Sequence, residues 1–159
     1  IPQAQIIKSL AKINDLQDPT AKMSKSAASM SGVIELLATP EATIKKFKSS
    51  VTDAGKEVKF DEKEKAGISN LLTIHSALSG QTITDLETQF AGKGYGDFKT
   101  EVADVVVQAL SPIRKRTEEL MNDQAELLRI LKAGAEKANH VANKTLSDVY
   151  AALGLIKNG

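Results

Sequence analysis

Residues 66–80 read AGISNLLTIHSALSG. Apolar side chains recur in this stretch at the spacing of one helical face, and Gly80 follows them as a C-cap. The stretch therefore predicts a helix that is buried along one side and ends at Gly80. The residues on the predicted buried side are Ile68, Leu71, Leu72, His75 and Leu78.

Upstream of this helix, Thr39 and Pro40 predict the start of an earlier one, because Thr caps helices and Pro is tolerated at the first helical position. The charged segment between the two helices is broken by Gly55. It favours a loop or short hairpin, with a strand at Val58 and Phe60. The residues predicted to share the apolar face of the earlier helix are Ile44, Phe47 and Val51.

Downstream, a third apolar repeat is followed by Gly92-Lys93-Gly94-Tyr95-Gly96, and Asp97 is a candidate N-cap for a longer helix. Pro112 lies inside that helix and predicts a kink or a division. The glycine segment fits neither a dinucleotide nor a P-loop pattern, so it predicts a turn between helices. The third repeat consists of Ile83, Leu86 and Phe90.

The last part of the chain predicts two helices. Asp123 with Glu126 is typical of a capped start, and Gly134 separates this short helix from a final one over about 135–153 that ends at Gly154. The fold class is therefore mainly α, a helical bundle. The residues predicted to point inward from the final helix are Ala138, Val141, Ala142, Leu146, Val149 and Leu153.

Composition excludes several classes of function. The 159 residues carry a net charge of +1, which argues against indiscriminate coating of nucleic acid. The absence of cysteine excludes disulfides and thiolate chemistry, and two histidines far apart predict no metal site. Aromatic residues make up 4%, too few for a base-stacking platform, and no apolar run is long enough to span a membrane.

Residues 1–31 differ from the helical remainder. Short apolar residues, among them Ile6, Ile7, Leu10 and Ile13, precede a turn at Asp18-Pro19 and then a polar, lysine-bearing stretch. This pattern predicts the edge of an α/β layer. The chain begins without an initiator methionine, which suggests a segment of a longer polypeptide.

Lys22-Met23-Ser24-Lys25-Ser26, hereafter the signature loop, carries the chemistry. Two ammonium groups three positions apart, interleaved with hydroxyls, suit a loop that folds over a polyphosphate. Lysines that tighten as charge develops on leaving phosphates lower the barrier to nucleotidyl transfer. The alternative is a plain solvated loop, since Lys and Ser are common on surfaces.

The run LQDPTAKMSKS over 16–26 resembles the second signature of class I aminoacyl-tRNA synthetases, and its first five residues resemble the tryptophanyl branch in particular. Later blocks agree in order, so the resemblance covers most of the chain. It implies the C-terminal half of a bacterial enzyme of this type. The later blocks are 50–53, 67–72, 92–96 and 134–138.

The resemblance implies roles for individual residues. Lys22 and Lys25 would bind the departing pyrophosphate of ATP as catalytic residues, and Ser24 and Ser26 would donate or accept hydrogen bonds. Met23 would lie beside the adenosine end, and Ile13 matches a position whose backbone meets the adenine. Mg²⁺ accompanies ATP in this chemistry, and the tryptophanyl group then passes to tRNA.

The resemblance also implies an organisation. Residues 1–31 would be the C-terminal edge of a Rossmann-like α/β catalytic domain, and 32–159 an α-helical domain whose last helix packs back on it. The enzymes are dimeric and cytoplasmic. The histidine-glycine signature and the tryptophan pocket are not in this chain, so the chain alone is expected to be inactive. Ala27-Ala28-Ser29 replaces an Asp-Pro found in many relatives, a departure that concerns the hinge of the loop and not its lysines.

Two other functions stay open at this point: a tyrosyl-tRNA synthetase, which shares the loop, and a helical tRNA-binding module without catalysis. Arg114, Lys115 and Arg116 are candidate contacts for tRNA phosphates, or else a solvated face. The lysines at 45, 46 and 48 favour the solvated interpretation. His75 is predicted to be a partly buried, hydrogen-bonded core residue, and His140 an exposed one.

Overall fold

The computed structural model describes residue 3 and residues 12–156. The predicted strand edge at Ile6, Ile7 and Leu10 lies outside these residues. The described part is mainly α-helical, as predicted, and its one β-feature is an isolated antiparallel bridge between Asn14 and Lys22. The helices are α1 (Pro40–Lys48), α2 (Ala66–Ser79), α3 (Ile83–Gln89), α4 (Tyr95–Asn122) and α5 (Gln124–Leu153), and a 3₁₀ turn spans Met30–Gly32.

The predicted helix boundaries hold where capping chemistry is local. The Thr39 hydroxyl accepts from the Ala42 N–H at the start of α1, with Pro40 in the first turn. Gly80 ends α2 with φ 75°, a left-handed conformation that glycine adopts without steric cost. Gly154 ends α5 in the same way.

Several local predictions are wrong, among them Leu78, which is 47% exposed although it was predicted to lie on the buried side of its helix. Helix α1 ends at Lys48, so Val51 lies outside it and is 45% exposed. Val58 is buried, but no strand forms at Val58 and Phe60 within residues 12–156, because no neighbouring segment pairs with them. Asp97 lies in the first turn of α4 rather than capping it, since the helix already begins at Tyr95.

A further correction concerns the C-terminal helices. Helix α5 runs unbroken through Gly134, where two helices were predicted. Helix α4 contains Pro112 without being divided there, so the alternative of a kink stays a prediction. A mid-helix glycine costs about 1 kcal/mol relative to Ala, which the surrounding helix-forming residues outweigh. The Asp123 cap itself is confirmed, because its carboxylate accepts from the Glu126 N–H at 3.0 Å.

The chain forms two compact units, divided between Arg114 and Lys115. The first contains one apolar core built from α1 to α4 and the segment around Leu16. Burial of these side chains at about 1.5–3 kcal/mol each is the main stabilising term of this unit. The largest fully buried apolar side chains are Phe47, Phe98, Leu16, Ile68, Leu71, Leu72, Leu86 and Val102.

The second unit, from Lys115 onward, consists of the end of α4 and all of α5. Helix α5 buries none of its residues in this chain. The predicted inward face of the final helix is therefore exposed here, with Val141 and Leu153 each about two-thirds accessible. A unit this small has too little surrounding structure to cover an apolar stripe.

Candidate functional site

The signature loop extends from a short antiparallel pair of backbone segments. The Met23 N–H donates to the Ile13 carbonyl at 2.9 Å, and the Asp15 N–H donates to the Ala21 carbonyl at 3.0 Å. Asn14 and Lys22 face each other between these bonds. The segments 13–15 and 21–23, hereafter the hairpin, thus place Lys22 at the base of the loop.

The turn of the hairpin is set by aspartates. One oxygen of Asp18 accepts from the Thr20 hydroxyl at 2.6 Å and from the Thr20 N–H at 3.0 Å, and these bonds lower the pKa of Asp18. One oxygen of Asp15 accepts from the Gln17 and Asp18 amides. Side-chain acceptors of this kind close turns by pairing backbone donors two and three residues on.

Long-range bonds hold the base of the hairpin against the helical core. The Leu16 N–H donates to the Gly32 carbonyl at 2.9 Å, and the Leu16 carbonyl accepts from the Val51 N–H at 2.8 Å. Nearby, the Asn70 carboxamide of α2 bonds the backbone of Asn14 on both sides. The base of the hairpin is therefore part of the core rather than a free surface loop.

At the signature loop itself, the side chains of Lys22 and Lys25 are exposed, and neither amine has a hydrogen-bond or ion-pair partner among residues 12–156. The Ser24 and Ser26 hydroxyls lie 3.0 Å apart, and the Ser26 N–H donates to Ser24 Oγ at 3.3 Å. The loop therefore presents two unpaired ammonium groups on a hydroxyl-lined turn. This is the arrangement that a polyanion requires.

Met23 and Ile13 point toward apolar surroundings instead. Both are partly buried against the core and line an apolar cavity of about 310 Å³ together with Phe47 and Ile74. A second, polar cavity of about 400 Å³ lies beside the hairpin, next to Asn14 and Thr20. The hairpin thus has an apolar neighbourhood on Met23 and a polar one beside Asn14.

A polar network that sequence reasoning missed joins three distant segments. The Tyr95 hydroxyl donates to both carboxylate oxygens of Asp53 at 2.8 and 2.9 Å, and Lys65 Nζ donates to Tyr95 Oη at 2.9 Å. The Gly55 N–H also donates to Asp53 at 2.8 Å. Asp53 and Tyr95 both lie in blocks that carry the family resemblance, which is the one signal that could have singled them out.

The network also shifts the pKa values of its members. Burial raises the pKa of Asp53, but hydrogen bonds from Tyr95 and Gly55 and the charge of Lys65 outweigh it, so the net pKa lies below the ordinary value. The hydrogen bond to Tyr95 raises the pKa of Lys65. Burial raises the pKa of Tyr95. The pair Asp53 and Lys65 is therefore held charged, with the tyrosine neutral between them.

The remaining candidates fall outside this site. His75 is buried, with Nδ1 3.1 Å from Ser79 Oγ and its ring stacked on Phe98, which confirms a core role. His140 is exposed. Gly92 has φ 78° in the turn between α3 and α4, and the Lys93 N–H donates to the Phe90 carbonyl, so this segment is structural.

The basic residues divide by their partners. Arg114 donates to the Ala38 carbonyl at 3.0 Å, while Arg116 pairs with Glu119 at 3.2 Å and Lys115 is exposed. In the other cluster, Lys46 bonds the Val33 carbonyl and Glu35. Whether any of them meets nucleic acid stays a prediction.

Residues 3 and 12–156 contain neither a candidate metal cluster nor a membrane-spanning helix. No group of three or more His, Cys, Asp or Glu side chains there could hold a metal ion. None of the helices is long and apolar enough to cross a membrane.

The chain is similar to a family of known proteins. A family model described as tRNA synthetases class I (W and Y) matches residues 2–111. The chain is 49% identical over 156 residues to tryptophan–tRNA ligase 2 of Streptomyces avermitilis, covering 98% of the chain and 46% of that protein. It is 50% identical over 157 residues to tryptophan–tRNA ligase of Leifsonia xyli, covering 99% of the chain and 47% of that protein.

A solved structure is also similar. The crystal structure of tryptophanyl-tRNA synthetase from Mycoplasma pneumoniae superposes with a TM-score of 0.79 at 33% identity, covering 94% of this chain and 46% of that one. The chain thus spans about half the length of the curated relatives it matches.

Proposed function

The chain belongs to the family of class I tRNA synthetases for tryptophan and tyrosine, and from that premise we propose that it works as part of a tryptophan–tRNA ligase of about twice its length. The observation that carries the proposal is the identity of 49–50% to proteins named tryptophan–tRNA ligase, along nearly the whole chain. The same observation favours tryptophan over tyrosine as substrate, and a ligase over a non-catalytic binding module.

In the proposed reaction, a carboxylate oxygen of tryptophan attacks the α-phosphorus of ATP, and the bond to the bridging oxygen of the β-phosphate breaks. Tryptophanyl-AMP forms and pyrophosphate leaves with the bonding electron pair. Negative charge therefore develops on the leaving group, which is where ammonium groups stabilise the transition state more than the ground state. Mg²⁺ bound with ATP would supply further neutralisation of the phosphates.

Lys22 and Lys25 are the groups of this chain proposed to meet the pyrophosphate. Their amines are exposed and unpaired within residues 12–156, so binding a polyphosphate breaks no existing ion pair. Ser24 and Ser26 are proposed to bond the same ligand, with Met23 and the Ile13 backbone toward the adenosine. The apolar surroundings of Met23 and Ile13 suit a heterocyclic base.

The proposal includes the second step and the setting of the enzyme. The tryptophanyl group would pass to the terminal ribose of tRNA with release of AMP, and Lys115 and Arg116, with Arg114 beside them in sequence, would contact tRNA phosphates. The residues up to 31 would close a Rossmann-like catalytic domain, and the residues from 32 would form a helical domain. The intact enzyme would be a cytoplasmic homodimer.

The test is Lys25→Ala in the full-length enzyme, with ATP–pyrophosphate exchange measured against tryptophan and, separately, tyrosine. We expect the activation rate to fall by about 10²- to 10³-fold, the loss typical of removing one preorganised charge stabiliser, with tryptophan binding changed less than about twofold. Lys56→Ala is the matched control, because Lys56 is also exposed. An unchanged rate in Lys25→Ala, or exchange supported by tyrosine alone, contradicts the proposal.

A further inference from the structure

Asn70 is a polar residue on a helix face that is otherwise in the core. Its side chain is 7% exposed, and the neighbouring Leu71 and Leu72 are fully buried. Both ends of its carboxamide are used on one residue: Oδ1 accepts from the Asn14 N–H at 3.0 Å, and Nδ2 donates to the Asn14 carbonyl at 2.9 Å. A buried amide side chain satisfied in this way costs little to desolvate.

The two bonds complete the hairpin at the position of the first signature lysine. Asn14 and Lys22 form the pair that lies between the two hairpin bonds, so the N–H and carbonyl of Asn14 point away from Lys22. In a sheet, a third strand would bond these groups. Among residues 12–156 no strand does so, and the Asn70 carboxamide takes its place with the same donor and acceptor pair as a peptide.

The bonds therefore fix the backbone that sets where Lys22 lies. Residues directly opposite in an antiparallel pair carry their side chains on the same face, about 4.5–5.5 Å apart at Cβ. A displacement of Asn14 therefore also displaces Lys22, because the two hydrogen bonds that flank this pair join their backbones. Asn70 has no bond of its own to the signature loop, so it can act on that loop only through the hairpin.

We propose that Asn70 is a positioning residue for nucleotide activation: its carboxamide holds both polar groups of the Asn14 backbone and thereby sets the position of Lys22. The inference rests on the proposed function for its catalytic consequence. Its structural part, that Asn70 anchors the hairpin from α2, stands on the two hydrogen bonds alone.

Asn70→Ala in the full-length enzyme is the central variant. It removes both bonds, and the polar cavity that Asn70 lines gives water room to reach Asn14, which preserves the fold. Ser69→Ala is the matched control. Ser69 is the preceding residue of α2, is 3% exposed and lines the same polar cavity, but its hydroxyl accepts its bond, at 2.8 Å, from the N–H of Asp61, which is not part of the hairpin.

We expect Asn70→Ala to lower the rate of ATP–pyrophosphate exchange by about 10- to 100-fold, the scale on which misplaced reacting groups reduce rates, with the KM for tryptophan within about twofold. Ser69→Ala should leave the rate within about twofold. Equal losses in the two variants would show a general loss of packing and overturn the proposal.

A double-mutant cycle with Lys22→Ala separates positioning from stability. If Asn70 acts through Lys22, then Asn70→Ala in the Lys22→Ala background should lower the rate by less than about twofold further, because the group being positioned is already gone. Independent effects that multiply would overturn the proposal.

Hydrogen exchange at the Asn14 amide supplies a readout that does not depend on activity. Asn70→Ala should increase this exchange, and Ser69→Ala should not. If the Asn14 amide loses protection in Asn70→Ala but the wild-type enzyme shows no tryptophan-dependent ATP–pyrophosphate exchange, the proposed function is refuted while the anchor is confirmed. If the Asn14 amide stays fully protected in Asn70→Ala, the anchor is refuted whatever the activity. Should Asn70→Ala fail to fold, Asn70→Asp keeps the acceptor of the Asn14 N–H and loses the donor to the Asn14 carbonyl, so the rate of ATP–pyrophosphate exchange and the cycle with Lys22→Ala decide in its place.

Discussion

Tyr95→Phe removes one oxygen from the network that ties the segment after α1 to the starts of α2 and α4. The hydroxyl donates to both oxygens of Asp53 and accepts from Lys65 at 2.9 Å. After the substitution Asp53 keeps the Gly55 N–H, and Lys65 keeps the Glu57 carbonyl at 3.2 Å and a 3.5 Å contact with Asp53. The charges stay paired, but the group between them is lost.

The magnitude follows from these partners. A hydrogen bond to a charged group contributes about 1.5–3 kcal/mol. The side chains of Asp53 and Lys65 are each 20% exposed, so water replaces part of what is lost. We therefore expect Tyr95→Phe to lower the free energy of unfolding at pH 7 by about 1–2 kcal/mol, or the unfolding midpoint by roughly 2–8 °C for a protein of this size.

The loss should depend on pH. Because the pKa of Asp53 is held below its ordinary value of 3.8, the unfolded state binds more protons near that pH. The stabilisation is therefore complete above about pH 4 and disappears as the pH falls through the folded-state pKa. Removing the hydrogen bond from Tyr95 raises the pKa of Asp53, so the difference in unfolding free energy between wild type and Tyr95→Phe should become smaller as the pH falls.

Thermal unfolding from pH 7 to about pH 2 checks both statements, because this range spans the pH at which Asp53 is protonated. Tyr150→Phe is the matched control, since it deletes the same atom from a tyrosine whose hydroxyl has no hydrogen-bond partner among residues 12–156. It should change the free energy of unfolding by no more than about 0.5 kcal/mol, as surface substitutions do. A Tyr95→Phe variant as stable as Tyr150→Phe at pH 7, or a gap that is constant with pH, would refute the reasoning.

Two further predictions concern close packing and buried charge. A Cβ at Gly67 would overlap the Val51 carbonyl, so Gly67→Ala should lower the free energy of unfolding in urea by about 1–3 kcal/mol. Gly134 has open space around it in α5, so Gly134→Ala should raise the free energy of unfolding by about 0.5–1 kcal/mol. A Gly67→Ala variant as stable as the wild type would contradict the close approach of Gly67 to Val51. Burial lowers the pKa of His75, against a weaker raising effect of Glu101, so stability should be complete above about pH 6.5 and fall below it. His75→Gln should flatten that slope in a pH series of unfolding midpoints, and an equal slope in both proteins would exclude His75 as its source.

Local sequence signals predicted the parts of the fold that local chemistry decides. Thr39 with Pro40 and Gly80 mark helix ends because a cap or a left-handed residue acts on its own few neighbours. The prediction of a helix end at Gly134 was wrong because the helix propensities of the many neighbouring residues together outweigh the cost of one glycine. A single glycine is easy to see in a sequence, whereas the summed propensity of its neighbours is not. The prediction for Val51 was wrong because the apolar spacing continues past Lys48, where α1 ends.

The signature loop could be singled out as a candidate from sequence because its two lysines and two serines lie within five consecutive residues. The distant residues that hold the surrounding backbone in place could not be predicted in this way. Asn70 and Asn14 are 56 positions apart, and Tyr95 and Asp53 are 42 apart, so no spacing rule connects them. Their side chains act on backbone or on each other across the core, and an isolated Asn or Tyr in the sequence has many other possible partners. Only the fold brings such pairs together.

The signature loop is held by long-range hydrogen bonds at its base and by short-range hydrogen bonds at its tip. At the base, Asn14, Leu16 and Gln17 are bonded to residues 32 to 56 positions away, at Asn70, Val51 and Ser49. At the tip, the hydrogen bonds within residues 12–156 join residues at most three apart, as between Ser24 and Ser26 or Ser24 and Ala27. Opening the tip therefore breaks few contacts while opening the base disrupts the core. A loop that closes over a nucleotide needs this combination, because the tip must move to bind and release pyrophosphate while the base keeps its first lysine in register.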